Sequence, residues 1–273
     1  MNASRLKPLA EGFAVPIAVL LIWQLACTAG LVNPMVLPSP AAVAVRWWSY
    51  LAPLEDYDPA HGSWFLWLFS GEMLHDAMAS LYRVVVGFAV GAGLALPLGL
   101  FMGSSDLIYR HINPLMQVLR PIPPIAYIPL SILWFGLGNA PAVFLIAIGA
   151  FFPVLMNTIA GVRHVDGIYI RAARSLGASR MTIFRRVILP AATPYILSGA
   201  RIGIGTAFIV VIVAEMIAVN NGLGFRILEA REYFWSDKII AGMLTIGALG
   251  LVIDMAVSRL NNHLLRWHRG LES

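Results

Sequence analysis

Few residues in this 273-residue chain have the types and spacing that covalent or metal chemistry needs. The six histidines include no pair four residues apart and no His-Glu-x-x-His motif, so a metal site is not predicted. The Gly-x-Ser-x-Gly motif of hydrolases and the glycine-rich Gly-Lys-Ser/Thr loop that holds nucleotide phosphates are absent. The single cysteine, Cys27, offers no disulfide within the chain. We therefore expect no catalysis, no metal and no cofactor or ATP bound by this chain.

The amino-acid composition indicates the environment in which this chain folds. Of the chain, 59% is hydrophobic and only 12% is charged, against about 25% charged in soluble domains. The apolar residues come in runs of about 20, the length of a helix that crosses a bilayer. The net charge of +5 is interpreted as the Lys/Arg excess that membrane proteins carry on cytoplasmic loops. The expected partner is membrane lipid, with no nucleic acid.

The apolar runs predict an all-α integral membrane protein with six spanning helices. The runs are 12–32, 79–102, 117–137, 140–162, 194–218 and 239–257. Residues 1–78 are interpreted as an N-terminal anchor span plus an external segment, and residues 79–273 as the core of the protein. Glycine pairs four residues apart predict close approach of these helices in lipid. They are Gly87/Gly91, Gly99/Gly103 and Gly199/Gly203.

Charges within the apolar runs are the candidates for a path through the membrane. Glu215 lies in VVIVAEMIAV, and a buried carboxylate usually faces a partner or a water-filled path. Two interpretations stay open: Glu215 lines such a path, or it is an interfacial residue bonded to Asn220 or Asn221. Arg201 is placed to extend its side chain to the nearby membrane surface, which we prefer to a role in substrate binding. Asp254 is the other acid in a span.

A cluster of prolines breaks the third span near its start. Arg120 is followed by Pro121, Pro123 and Pro124, a run that cannot form regular helix. Broken backbone at membrane depth is tolerated where protein or a water-filled cavity covers it. These four residues are therefore candidates for the translocation path, with a packing kink as the alternative. Further on, residues 219–238 predict a turn followed by a short amphipathic surface helix.

The distribution of basic residues predicts the orientation. With the N-terminus inside, the inner segments carry most of the Lys and Arg residues. These are Arg5, Lys7, Arg110, Arg163, Arg171, Arg174, Arg180, Arg185, Arg186, Arg259, Arg266 and Arg269. The outer segments carry Arg46, Arg226, Arg231 and Lys238. Both termini and the basic loop 163–193 are therefore expected in the cytoplasm.

That loop has the composition of a docking element. The stretch RAARSLGASRMTIFRRVILP, residues 171–190, combines small residues with exposed arginines, and Leu189–Pro190 is interpreted as the point where its helix stops. Its spacing resembles the "EAA" loop of binding-protein-dependent ABC importer permeases. Ala172, Ala173, Gly177, Leu189 and Pro190 match that pattern, while Arg171 replaces its Glu and Val187 its Ile.

The resemblance extends from about residue 81 to residue 270 and is strongest to the nitrate/sulfonate/taurine branch of these permeases. The matching segments are Ser80–Val84, Gly87-Phe88, Arg120–Pro124, Trp134–Gly136, Ala172–Pro190, Gly199–Gly203, Ala214–Ile217 and Gly222–Gly224. It implies a methionine-importer-like permease fold. It also implies a homodimer of permease copies, two ATP-binding subunits that carry the ATP, and a periplasmic or lipid-anchored substrate-binding protein.

The residues that the resemblance assigns to ATPase coupling all lie in the loop. They are Arg171, Ala172, Ala173, Arg174, Ser175, Leu176, Gly177, Ala178, Ser179, Phe184, Leu189 and Pro190. The expected function is the permease subunit of an importer, in the bacterial cytoplasmic membrane, for a small oxyanion or organic sulfonate. The alternatives within the family are nitrate, bicarbonate, cyanate or a thiamine pyrimidine precursor. An ion-coupled carrier acting alone is the alternative outside it, and would require buried acids along a path.

Overall fold

The computed structural model describes residues 3–53, 64, 67 and 70–265, with side chains from residue 14 onward. Every regular element in this part of the chain is helical, as the apolar runs predict. The helices are α1 (Ala3–Thr28), α2 (Pro40–Leu51), α3 (Glu72–Ser104), α4 (Asp106–Leu119), α5 (Ile128–Phe135), α6 (Asn139–Arg163), α7 (Gly167–Ser175), α8 (Arg180–Ile183), α9 (Leu189–Ala218), α10 (Leu223–Glu232) and α11 (Ser236–Leu264). Fourteen residues of the predicted external segment, 54–63, 65, 66, 68 and 69, and also Arg266 and Arg269, lie outside the described residues.

Four of the described helical segments are long and apolar enough to cross a membrane. They are α3, α6, the continuous helix Arg180–Ala218 and α11. A fifth candidate is the pair formed by α4 and the segment Pro124–Phe135, which bend by 83° at their junction. The apolar helix Ala14–Thr28 is shorter. The described residues thus give four or five spans, where the sequence predicts six.

The proline cluster produces the bend between α4 and α5. The helix α4 ends at Leu119, a 3₁₀ turn occupies Pro124–Tyr127, and α5 begins at Ile128. Prolines cannot donate a backbone hydrogen bond and restrict the residue before them, so the intervening run cannot continue the helix. The predicted break is confirmed. The predicted third span, 117–137, contains this break, where α4 and the segment Pro124–Phe135 bend by 83°.

The described residues divide into two units. The first contains residues up to 77 together with 226–247, and charges at helix ends hold it together. Arg226 bonds Asp76 at 2.7 Å, Glu72 at 2.7 Å and Glu229 at 2.9 Å, and Lys238 lies 3.9 Å from Glu72 and from Glu229. The predicted short helix within 219–238 is confirmed as α10. Its Arg226 and Glu229 are partly buried and joined to the start of α3.

The second unit, residues 78–225 with 248 onward, is built around α6. Small and branched residues of α3 and α9 pack against this helix, and Leu145, Ile146, Val154 and Leu155 are almost fully buried. An apolar side chain gains little from leaving lipid, so close backbone approach must supply the packing energy. The predicted glycine pairs provide that approach.

The six glycines of these pairs face α6. On α3, an added Cβ would lie 2.6 Å from Ile146 at Gly87 and 2.3 Å from the Ala147 carbonyl oxygen at Gly91. Further along α3, it would lie 2.7 Å from Thr158 at Gly99 and 2.6 Å from Val162 at Gly103. On α9, it would lie 2.6 Å from Asn157 at Gly199 and 3.1 Å from Val154 at Gly203. Real Cβ contacts are not found below 3.0 Å. At five of these six positions, therefore, no side chain fits unless the helices move apart.

This packing predicts a contrast between two glycines of α3 that are two residues apart. Gly91→Ala should lower the free energy of unfolding by about 1–3 kcal/mol, because its methyl group would overlap the α6 backbone. Gly93→Ala is the matched control, since nothing lies within 4 Å of its added Cβ. Thermal unfolding of the detergent-purified protein measures both. Equal melting temperatures for the two variants would contradict the close contact of α3 with α6.

Candidate functional site

The basic loop folds as two short capped helices joined by a glycine turn. The Asp166 carboxylate accepts a hydrogen bond from the Ile168 amide at 2.8 Å and so caps the start of α7. At the other end Gly177 has a φ of +78°, the left-handed conformation that glycine adopts without steric cost. The amide of Ala178 then donates to the Ala173 carbonyl at 3.0 Å, which completes a Schellman cap. Gly177 thus ends α7.

The second short helix runs without interruption into a membrane span. The Ser179 hydroxyl accepts from the Thr182 amide at 3.2 Å and caps α8. A π turn, Phe184–Ile188, joins α8 to α9, so that Arg180–Ala218 forms one helix of 39 residues. The expectation that Leu189–Pro190 ends a helix is wrong. Pro190 instead occupies the first turn of α9, directly after the wide π turn.

The loop presents an unpaired basic and apolar surface. Arg171, Arg174 and Arg180 are exposed, and none forms an ion pair with any residue that the structure describes. Between them Leu176 is 88% exposed. The remaining predicted coupling residues lie in α7, in the turn that follows it and in the first part of the long helix: Ala172, Ala173, Ser175, Ala178, Ser179, Phe184, Leu189 and Pro190. A leucine and three cations exposed on a rigid capped turn form a surface suited to a protein partner.

The proline candidates lie at the bend between α4 and α5. Arg120, Pro121 and Pro123 are exposed, and Pro124 is half-buried. Next to the bend, Leu119 and Tyr127 border an apolar cavity of about 570 Å³. The cavity also reaches α3 and α6 through residues such as Val90, Leu94, Phe144, Phe151 and Phe152. The bend is therefore beside a sizeable open space with mostly apolar walls.

Glu215 is fully buried and paired with an arginine that sequence analysis left without a role. The Arg83 guanidinium donates to its Oε1 at 2.6 Å, and the two side chains are 2% and 0% exposed. The Ser80 hydroxyl and the Gly224 amide both donate to Oε2 at 2.9 Å. Four described groups from three elements therefore meet at one ion pair, and the carboxylate is well supplied with donors.

The arginine is equally well supplied with acceptors. Its Nε donates to Asn139 Oδ1 at 2.7 Å, and its Nη1 donates to the Asn221 carbonyl at 3.1 Å. Nη2 bonds the Asn221 side chain. Asn221, expected as a partner of Glu215, thus bonds Arg83 instead. The pair fastens the turn after α9 to α3 and to the start of α6.

Gly222 allows this turn to close over the ion pair. Its φ is +105°, and an added Cβ would lie 2.5 Å from Glu215 Oε1 and 2.6 Å from Arg83 Nη1. The sequence contains a signal for this pairing. The charge distribution predicts which end of each span faces outward, and Arg83 and Glu215 both lie near the outer ends of their spans. Opposite charges at the same depth of a bundle tend to pair.

A second ion pair joins two spans further along. Arg201 of α9 donates from Nε and Nη2 to the two carboxylate oxygens of Asp254 on α11, each at 2.8 Å. Arg201 therefore pairs with Asp254, a partner that the sequence analysis does not assign to it. The side chains are 49% and 51% exposed. Among the described residues no group of His, Cys, Asp and Glu could hold a metal ion.

The chain is similar in sequence to a known family of proteins and to individual members of it. Residues 95–270 match the profile of a family described as binding-protein-dependent transport system inner membrane component. The chain is 34% identical to the taurine transport system permease protein TauC of Escherichia coli (strain K12), over 98% of this chain and 96% of that protein. It is 35% identical to the nitrate import permease protein NrtB of a Synechocystis strain, over 91% and 87%.

A solved structure shares the fold. The MetNI methionine ABC transporter, in an inward facing conformation, aligns with a TM-score of 0.59 and 21% sequence identity. The alignment covers 71% of this chain and 94% of that one. The methionine-importer-like fold expected from the sequence is confirmed.

The ion-pair geometry predicts strong coupling between Arg83 and Glu215. Glu215→Ala should cost about 3–5 kcal/mol of stability, because it leaves a buried arginine without its carboxylate. Glu215→Gln should cost less, since its amide oxygen still accepts hydrogen bonds. The Arg83→Met/Glu215→Met double variant should lose less stability than the summed losses of the Arg83→Met and Glu215→Met single variants. Denaturation of the purified protein measures all of these, and additive losses would contradict the buried pair.

Proposed function

Since the chain belongs to the family of binding-protein-dependent transport system inner membrane components and is a permease subunit of an ABC importer, we propose that it carries a small oxyanion or organic sulfonate. The chain is a multi-pass membrane protein and a transport component, not an enzyme. Importers of this family work with an ATPase and a binding protein. The proposed assembly has two permease copies and two ATP-binding subunits, which hold the ATP. A periplasmic or lipid-anchored binding protein completes it.

One structural feature supports the coupling role that we assign to this chain. The exposed turn around Leu176 and Gly177 is attached, through the capped helix α8, to a single 39-residue helix that includes a membrane span. A helix transmits displacement along its axis, so a force on the turn moves α9. In the proposed mechanism, ATP-driven closure of the ATPase subunits moves residues 167–180. The spans then tilt and open the path outward.

The orientation follows from the charge distribution. Both termini and the coupling loop face the cytoplasm, where an ATPase can bind, and the turn at 219–222 faces outward. The Arg83–Glu215 pair then lies near the outer end of the bundle. We assign it the role of supporting the outer gate, because both side chains are buried and their hydrogen bonds join three elements there.

We assign the translocation path to the segment between α4 and α5, where the helix is interrupted. Arg120, Pro121, Pro123 and Pro124 place non-helical backbone beside the cavity of about 570 Å³. Non-helical backbone at membrane depth is tolerated where it lines such a space. An ion-coupled carrier is disfavoured, because both acids inside the spans, Glu215 and Asp254, are neutralised by arginines.

The substrate class is supported by the relatives. The full-length match to a taurine permease favours an organic sulfonate. The match to a nitrate permease covers somewhat less of the chain and supports the alternative of a small inorganic oxyanion. Bicarbonate, cyanate and a thiamine pyrimidine precursor are the remaining alternatives. Calorimetry on the binding protein that partners this permease would decide among them.

Gly177 provides the test of the coupling role. Gly177→Arg should reduce the ATPase retained on affinity-purified permease by about tenfold, which corresponds to about 1.4 kcal/mol of docking free energy. The arginine cannot hold the left-handed turn without strain of roughly 1–2 kcal/mol. No atom lies within 4 Å of its Cβ, so the permease itself should still fold. Gly177→Asn is the matched control, because asparagine tolerates this conformation. Full ATPase retention and uptake in Gly177→Arg would mean that the loop is only a connector.

The orientation has its own test. Reporter fusions after residues 165–185 and at the C-terminus should report the cytoplasm, and fusions at 55–65 and 222–235 should report the outside. Alkaline phosphatase and green fluorescent protein fusions measure the two sides independently. An external signal from the 171–190 loop would exclude ATPase docking there, and with it the proposed mechanism.

A further inference from the structure

The coupling helix α7 is joined to the end of α6 by a very short connection. Helix α6 ends at Arg163 and α7 begins at Gly167, so only residues 164–166 lie between them. An extended chain spans at most about 3.6 Å per residue, and Asp166 in this connection caps α7. Such a connection cannot absorb a large displacement. A partner that moves α7 therefore acts on the end of α6 as well as on α9.

The last residue of α6 holds the first turn of α4. Arg163 Nη2 donates to Asp106 Oδ1 at 2.5 Å, and the guanidinium carbon of Arg163 lies 3.8 Å from the centre of the Tyr109 ring. Asp106 and Tyr109 are three residues apart, so both lie on one face of α4. One side chain of α6 thus makes an ion pair and a cation–π contact with the same turn. These three residues are called the Arg163 clamp.

The end of α6 also meets α3 and α9, through close packing rather than charge. An added Cβ at Gly103 of α3 would lie 2.6 Å from Val162, and one at Gly161 would lie 2.6 Å from Tyr195 of α9. With the Arg163 clamp, residues 161–163 therefore contact three other helices. The end of α6 is a junction at which a displacement of α7 reaches all of them.

The rest of the contact between α4 and α6 is apolar. Met116 of α4 is buried in one cluster with Val154, Leu155 and Ile159 of α6. Among the described residues, Arg163 makes the only side-chain hydrogen bond between these two helices. Apolar helix surfaces gain little from contact with each other in lipid, so they resist sliding only weakly. The clamp fixes the position of α4 along α6.

Helix α4 leads from the clamp to the interrupted segment to which we assign the path. It has 14 residues and is continuous through Pro114, which corresponds to about 21 Å of helix. Its last residue, Leu119, is followed by Arg120 and the proline run. A movement of the first turn of α4 is therefore carried along the helix to this segment.

We propose that Arg163 is a coupling residue, which carries the movement of α7 to α4 and through α4 to the interrupted segment. This role rests on the proposed function, since an ATPase subunit has to move α7. It adds a second route to the one through α9. The clamp stays closed in this mechanism, so that the end of α6 and the start of α4 move together.

The exposure of the clamp separates this role from a role in stability. The side chains of Arg163 and Asp106 are 36% and 78% exposed, and exposed ion pairs contribute little to the free energy of unfolding. Arg163→Gln should therefore leave the melting temperature of the purified permease almost unchanged. A residue that only stabilised the fold would show the opposite behaviour, a lower melting temperature with an unaltered response to ATP.

The test follows the interrupted segment during the ATPase cycle and needs no transported solute. Cys27→Ser removes the only thiol of the chain. Ala126 is exposed in the turn between α4 and α5, so Ala126→Cys provides a site for a nitroxide spin label. This labelled reference chain is assembled with the ATPase subunit in nanodiscs. Electron paramagnetic resonance then measures the mobility of the label without nucleotide and with ATP and vanadate.

We expect ATP and vanadate to change the mobility of the label in the reference chain. Arg163→Gln should reduce the population of labels that responds by about tenfold, since coupling between two sites commonly amounts to factors of this size. The amount of ATPase retained on the complex should stay the same, because the exposed turn around Leu176 is unaltered.

Arg110→Gln is the matched control. Arg110 is exposed on the same helix and forms no ion pair with any described residue, so this variant should keep the full response. Arg163→Lys keeps the charge and should keep most of it. Asp106→Asn and Tyr109→Leu each remove one partner of Arg163 and should both reduce it. A charge exchange is not used, because Asp106 at the start of α4 and Arg163 at the end of α6 also complement the helix dipoles.

Four results would overturn the proposal. They are a full response in Arg163→Gln, an equal loss in Arg110→Gln, a label that does not respond in the reference chain, and loss of the ATPase from Arg163→Gln. The ATPase retained on the reference permease reports on the proposed function separately. No retained ATPase would count against the proposed function itself. Retained ATPase with a response that is independent of Arg163 would count against the clamp alone.

Discussion

A charge inside a membrane-spanning helix must be compensated, and two ion pairs among the described residues meet that requirement in different ways. Arg83 and Glu215 are buried and surrounded by hydrogen-bonding groups from α3, α6, α10 and the turn after α9. Removing either partner leaves an uncompensated charge, so these elements stay together as a unit. Arg201 and Asp254 compensate each other but remain half exposed. The first pair is suited to holding these elements of the bundle together, and the second joins α9 to α11.

Close helix packing makes the rest of the bundle rigid enough to transmit motion. Glycines of α3 and α9 bring both helices against α6, in places to backbone contact distance, as at Gly91. The coupling turn at Gly177 is attached to α9 through one continuous helix. We propose that a movement of that turn reaches the translocation path through α9 and its contacts with α6. In the proposed mechanism the chain performs no covalent chemistry and converts the motion of its ATPase partners into a change of access.

The sequence predicts correctly those structural features that depend on residue spacing within one segment. The glycine pairs, the proline break after Arg120 and the helix within 219–238 were predicted from such spacing and are present. Sequence did not predict the partner of Glu215, because Arg83 lies 132 residues away and only the depth of the two helices brings them together. It also misjudged Leu189–Pro190. The π turn that admits Pro190 into a continuous helix has no signature that propensity or periodicity would detect.

The most direct test of the central claim is a cross-link between the coupling turn and an ATPase subunit. Leu176 is 88% exposed, so Leu176→Cys in the Cys27→Ser chain offers a thiol at the tip of the turn. If the turn docks on the ATPase subunit, a short bifunctional reagent should join this thiol to that subunit in membranes, and the yield should change when ATP is bound. A thiol that forms no such cross-link and is labelled from the outer side of the membrane would contradict it.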